Sequence, residues 1–170
     1  MRRLQADATT TGLCLELALP APSGFAAPDV NAAVDAILRV VYDHGGGRSI
    51  MFCSESPQLC LTLNLKQPTF PVVFRTYAGL RPTPHDARCA SIQHGVRFAK
   101  TANLLGVLCE ATPLVQVPAL VHTIKKEGLI LGTFGAANLD AANLALQEAH
   151  GVDAIVLNTT MHVKNSLSWL

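Results

Sequence analysis

The sequence predicts an α/β protein built from repeated βα units, and three observations carry that prediction. Six short runs, "GLCLELAL" (12–19), "RSIMFCS" (48–54), "FPVVFRT" (70–76), "LLGVLCE" (104–110), "GLILGTF" (128–134) and "VDAIVLN" (152–158), are nearly continuous in apolar residues. Strands of that kind are covered on both faces, the habit of a parallel sheet. Helix-length segments with helical spacing separate them. Strand starts stand roughly 22 to 35 residues apart, as βα units require. Two architectures satisfy this order: an open doubly wound sheet and part of a (β/α)8 barrel.

Each helix has its own local reasons. "APDVNAAVDAILRVVYDHGGG" puts Val30, Val34, Ile37, Leu38 and Val41 on one face, with Asp29 as N-cap and Gly45 to Gly47 as the stop. "SPQLCLTLNLKQ" offers Leu59, Leu63 and Lys66, with Ser56 as cap and Pro57 at the first helical position. "SIQHGVRFAKTAN" aligns Ile92, Val96 and Ala99. "PLVQVPALVHTIKKEG" reads as one helix closing on lysines and a glycine. "NLDAANLALQEAHG" places Leu139, Asn143, Leu146 and Gln147 at helical spacing. The tail "TTMHVKNSLSWL" reads as a last short helix, and residues 1–11 as a disordered leader before a domain over 12–170.

Composition excludes several classes. Hydrophobic residues make up 49% and charged ones 15%, so the chain is core-rich rather than disordered. A net charge of +1 gives no footing for nucleic acid or a polybasic membrane contact. No apolar run approaches the ~18 residues that span a bilayer. The start, "MRRLQADATTTG", lacks an apolar segment, and Asp7 interrupts any presequence, so a cytoplasmic protein is expected. The five cysteines (Cys14, Cys53, Cys60, Cys89, Cys109) form no CxxC pair and read as reduced, buried, structural thiols. GxGxxG and GxxxxGK[ST] are both missing, and "HGGGRS" follows a helix instead of opening one.

Several stretches together resemble one family. "AVDAILRVVYDHGGGRSIMFCS", "SPQLCLTLNLKQPTFPVVFRTYAG", "SIQHGVRFAKTANLLGVLCEATPLVQVPALVHTIKKEGLILGTFGAANLD" and "ALQEAHGVDAIVLN" look like the later part of a glycerophosphodiester phosphodiesterase (GDPD) domain. The version in fungal SPX–ankyrin–GDPD proteins, a phosphate-pathway cyclin-dependent-kinase inhibitor among them, is the most similar. The resemblance implies an incomplete (β/α)8 barrel of later strands and helices only. It implies hydrolysis of glycerophosphodiesters to glycerol 3-phosphate and an alcohol, with a divalent cation, Mg²⁺ or Ca²⁺. The family's early His-Arg-Gly, Glu and His-Asp positions have no counterpart here. The family's Glu-Ile-Lys strand is similar to "CLELALP", where Glu16 matches the glutamate and Ala18 replaces the lysine. Glu55 stands where a Ser-Phe motif has phenylalanine, and Asn158 where the last strand commonly ends in Asp.

Barrel enzymes carry their chemistry at the C-terminal ends of strands. Glu16, Glu55, Arg75, Glu110, Thr133 and Asn158 all lie there. Glu16 and Glu110 are the candidate metal ligands, since hard cations take carboxylate oxygens. Arg75 is the candidate phosphate contact. By resemblance to the Trp-Thr-Val-Asn stretch, "GTFGAAN" makes Thr133 and Asn138 substrate-facing. His44, His94, His122, His150 and His162 lie in or at the ends of helices, and His85 alone sits in a long loop. With no paired catalytic histidines, the isolated chain is expected to be inactive. The alternative is a non-catalytic GDPD-like regulatory or binding module of fungal phosphate signalling. Expected partners are a glycerophosphodiester or phosphate ligand, and the remaining barrel segment, a second copy or a regulatory protein to cover the sheet edges.

Overall fold

The computed structural model describes residues 12–19, 29–81 and 86–157. The expected leader, the terminal helix, His85, Asn158 and His162 lie outside the described residues. Six strands form one parallel sheet in sequence order: β1 (Leu13–Leu17), β2 (Ile50–Ser54), β3 (Val72–Thr76), β4 (Gly106–Glu110), β5 (Ile130–Phe134) and β6 (Ala154–Ile155). The sheet curls into part of a barrel, with helices between successive strands. Strand order equals chain order, so each crossover carries the chain one place along the curl. A doubly wound sheet would reverse direction at a switch point, and this one does not.

Caps set the helix limits where the sequence places them. Asp29 accepts the Ala32 N–H at 3.1 Å to open α1 (Val30–His44), and the Gly45 N–H closes it on the Val41 carbonyl. Ser56 caps α2 (Pro57–Lys66), and Ser91 caps α3 (Ile92–Thr101). The fourth helical segment divides into α4 (Thr112–Gln116) and α5 (Ala119–Lys126). The cause is Pro118, which has no N–H to continue the ladder and biases Val117 out of helix. In α6 (Ala141–Ala149), Asp140 is the cap. Leu139 is left in the preceding 3-10 turn, exposed rather than packed.

The core lies between the outer face of the sheet and the helices. Phe52, Val72, Phe74, Val107, Cys109 and Leu131 from the strands meet Val34, Leu59, Leu63, Ala99, Leu114 and Val121 from the helices. Phe74 stacks edge-on against Phe98 of α3 at 5.0 Å, and Gly95 lets that helix approach: a Cβ there would stand 3.3 Å from the Phe74 ring. Each such side chain removed from water contributes about 1.5–3 kcal/mol. The inner face is less fully covered among the described residues, with Ile130 40% and Val156 38% exposed. Continuous apolar runs therefore reflect an outer face under helices and an inner face that lines a barrel lumen.

Asp153 ties β5 to the turn before β6. Its carboxylate accepts the Leu131 N–H at 2.8 Å and pairs with Lys125 of α5. Burial pushes this carboxyl up, but the Leu131 bond and the Lys125 charge more than reverse that and hold it below its usual 3.8. A depressed carboxyl stabilises the fold above that value and ceases to as pH falls through its lower folded value. Asp153→Ala is expected to cost about 1–2 kcal/mol at pH 7 in urea unfolding. The gap from wild type should close progressively below pH 3.8.

Candidate functional site

Period-two alternation assigns one strand face to the lumen. The registers Glu16↔Cys53, Cys53↔Val73, Arg75↔Leu108 and Leu108↔Gly132 set that face. At its strand-exit end the face presents Glu16, Glu55, Arg75, Tyr77, Glu110 and Phe134.

Arg75 is the centre of this group. Its side chain is 13% exposed, and its Nη1 donates to the Glu16 carboxylate and stands 3.3 Å from Glu55 Oε1. The guanidinium lies 4.1 Å from the centroid of the Phe134 ring, and Tyr77 meets that ring edge-on at 5.1 Å. Cation–π contact of this kind is worth about 0.5–2 kcal/mol, more when desolvated. Burial pulls the Arg75 guanidinium down from its ordinary value, and it remains a cation. Its Nε is buried and finds no acceptor among the described residues. Burial likewise pushes the Tyr77 hydroxyl up, helped by its hydrogen bond with Glu55.

The turn after β3 completes the aromatic cluster. Ala78 adopts a left-handed φ of 57°, a conformation that costs an L-residue about 1 kcal/mol. The Leu80 N–H closes on the Tyr77 carbonyl at 3.0 Å, and Arg81 returns to lie 3.5 Å over the Tyr77 ring. Strain of this kind collects where a site is being shaped.

The candidate residues do not all come together. Glu16, Glu55 and Arg75 meet directly. Glu110 sits on the same face, but its carboxylate accepts the Thr112 N–H at 2.8 Å and the Thr112 hydroxyl at 3.0 Å, which starts α4. Thr133 and Asn138 are corrected by register. They lie behind β5, fully buried, with Asn138 Nδ2 donating to Thr133 Oγ1 at 3.2 Å and Gln147 Nε2 donating to Asn138 Oδ1. Their neighbour Phe134 takes the lumen place instead, because one residue of shift changes the face. Asp86 is bound up with Arg88, whose hydrogen bonds hold its carboxyl below the usual range.

A divalent cation needs several oxygen ligands at close range. Among the described residues, no three His, Cys, Asp or Glu side chains converge to hold a metal ion. The two carboxylates that do converge face a guanidinium, whose positive charge opposes a cation. The described half of the lumen does not build a cation site by itself. It does build an anion-competent arginine flanked by carboxylates and aromatic rings. A cavity of about 380 Å³ opens beside it, lined by Glu16, Ser54, Glu55, Ser56, Asp86 and Cys89.

Cys53, Cys60 and Cys109 are buried, whereas Cys14 is exposed on the lumen face and corrects the expectation for its strand. A hydrogen bond from Cys53 lowers the Cys14 thiol to about 7. Burial pushes Cys109 up to about 12.

Comparison with known proteins identifies this architecture. The family model of the glycerophosphoryl diester phosphodiesterase family matches residues 16–161. The chain belongs to the GDPD family. It is 42% identical over 140 residues to a glycerophosphocholine phosphodiesterase of Candida albicans, covering 82% of this chain and 12% of that protein. It is 35% identical to the ankyrin repeat protein nuc-2 of Neurospora crassa, covering 72% of this chain and 16% of that one. The chain thus spans under a fifth of these relatives' length. The fold matches the crystal structure of a glycerophosphodiester phosphodiesterase from Parabacteroides distasonis, with a TM-score of 0.59 at 16% identity. That match covers 85% of this chain and 52% of the other.

Sequence reading missed the Tyr77–Phe134 pair and Arg81. The signal that finds the pair is parity: Tyr77 is two residues beyond Arg75, and Phe134 pairs with Glu110.

Gly135 has φ 115°, and a Cβ there would stand 2.5 Å from Glu110 Oε1. Gly135→Ala is expected to cost about 1–3 kcal/mol in urea unfolding and to loosen the start of α4. Alkylation by iodoacetamide should label Cys14 first, its rate rising with pH to half its plateau near the thiol's value of about 7.

Proposed function

We propose that this chain forms the later part of a glycerophosphodiester-hydrolysing barrel. The products would be glycerol 3-phosphate and an alcohol, choline in the reading suggested by its Candida albicans relative. The observation that carries this reading is Arg75: a nearly buried guanidinium at the strand-exit end of the lumen, with Nε still lacking an acceptor among the described residues. A phosphodiester oxygen is the counter-charge that such a guanidinium takes, and charge-assisted bonds to phosphate are among the strongest available.

Arg75 orients the phosphate and offsets the charge that builds on its oxygens. Tyr77 and Phe134 hold the guanidinium flat, and Glu16 and Glu55 restrain its fork. Mg²⁺ or Ca²⁺ enters this reading only with ligands from strands beyond the six described, to which Glu16 would add one oxygen. A barrel of this kind closes at eight strands. Among the described residues no further strand pairs with the outer edges of β1 and β6, so this reading calls for completing strands, without which the chain is inactive. Five free thiols fit a reducing compartment, and the cytoplasm is our assignment. Among the described residues no helix is long and apolar enough to cross a membrane.

One observation favours a second reading, a non-catalytic regulatory module. Arg75 already faces two carboxylates, so its charge is largely answered inside the chain.

Complementation separates the two. The purified chain alone should not hydrolyse glycerophosphocholine with Mg²⁺ or Ca²⁺. Mixed with the earlier barrel half of the Candida albicans relative, it should, and Arg75→Ala should then lower kcat/KM about 10²–10³-fold. Turnover by the chain alone would refute the requirement for completing strands. A stable mixed complex without turnover would favour the regulatory module.

A further inference from the structure

A second guanidinium stands at the exit end of the lumen, and its surroundings are the reverse of those of Arg75. Arg75 is nearly buried and faces two carboxylates. Arg81 is exposed, and among the described residues no carboxylate pairs with it and no hydrogen bond reaches it. It lies instead against the Tyr77 ring, with Cζ 3.5 Å from the centroid. Arg75 Cζ stands 5.3 Å from that same centroid, so two cations meet at one ring. Burial does most to pull the Arg75 guanidinium down, and the Arg81 charge adds to it.

The turn after β3 holds Arg81 in that place. Thr76 Oγ1 accepts the Ala78 N–H at 3.1 Å. Ala78 and Gly79 then take left-handed φ values of 57° and 87°. Gly79 packs against Ala90, whose carbonyl oxygen would stand 2.9 Å from a Cβ at that glycine. A turn packed this tightly fixes the direction in which residue 81 leaves it. The stacked guanidinium gives its flat face to the ring and keeps its N–H edge for a ligand. An anion with paired oxygens takes that edge bidentately.

We propose that Arg81 is the second phosphate-binding residue of this site, the one whose charge is not already answered inside the chain. This rests on the reading above that the exit end receives a phosphodiester. Glu16 and Glu55 offset much of the Arg75 charge, whereas Arg81 brings its charge to the substrate undiminished. Binding involves no covalent change. Two N–H donors of Arg81 take two phosphate oxygens, and Tyr77 keeps the guanidinium plane in place.

The test is a titration of the full 170-residue chain, ¹⁵N-labelled at arginine, with glycerophosphocholine at low ionic strength, followed by NMR at the arginine Nε–H resonances. The Arg81 resonance, assigned by its absence in Arg81→Ala, should shift with glycerophosphocholine and stay in place with free choline. Arg81→Ala, followed at the Arg75 resonance, should raise Kd about ten-fold. Arg81→Lys keeps the charge without the flat fork and should raise Kd about three-fold. Arg97→Ala, at an exposed arginine of α3, should bind as wild type does. Arg81 is exposed, so its alanine variant should keep the wild-type circular dichroism spectrum. The proposal fails if the Arg81 resonance does not move, if Arg81→Ala binds as tightly as wild type, or if Arg97→Ala weakens binding equally. Arg75→Ala separates the proposal from the reading beneath it. Binding that survives Arg75→Ala but not Arg81→Ala upholds Arg81 and overturns Arg75 as the phosphate contact. The converse pattern overturns Arg81 and leaves the proposed function standing.

Discussion

The burial of the sheet's outer face under its helices is the constraint on which the rest depends. Phe52, Phe74 and Leu131 are withdrawn fully from water by α1, α2, α3 and the helices after β4. Because side chains alternate along a strand, that burial decides where every other strand residue goes. Once Phe74 faces the helices, Arg75 must face the lumen. Once Leu131 and Thr133 are packed outward, Ile130 and Phe134 must point inward.

Arg75 then organises the lumen's exit end. A guanidinium held among apolar strand ends needs counter-charge and flat surfaces, and this chain supplies both. Glu16 reaches it from β1, Glu55 from the end of β2 and Phe134 from β5, so the ionic and aromatic contacts tie widely separated strands together. The same contacts limit what this half of the lumen can do. The carboxylates that a hard cation would want are committed to an arginine, and Glu110 is committed to starting α4. Membership of the GDPD family supplies the chemical setting.

Much of the architecture was legible in the sequence. Six apolar runs of strand length became six strands, and the caps at Asp29 and Ser56 sit where Asp and Ser precede apolar spacing. These features depend on neighbours a few residues away, which a sequence displays directly. The helix break at Pro118 was also written in the chain, although lysines and glycine at the far end masked it. Arg75, Glu16 and Glu55 were recognisable because charge at the end of an apolar strand is rare. Thr133 and Asn138 misled, since a motif places residues near strand ends without stating which face they take.

The sequence by itself therefore determined the element order, the parallel sheet and the charged residues to watch. The reason is that periodicity, capping and composition are local. Tertiary structure alone decided the register between strands, and with it every cross-strand meeting. That includes Arg75 with Phe134, and the withdrawal of Thr133 and Asn138 into a buried hydrogen-bond network. Those outcomes rest on which face of each strand the helices cover, a choice that no single strand carries.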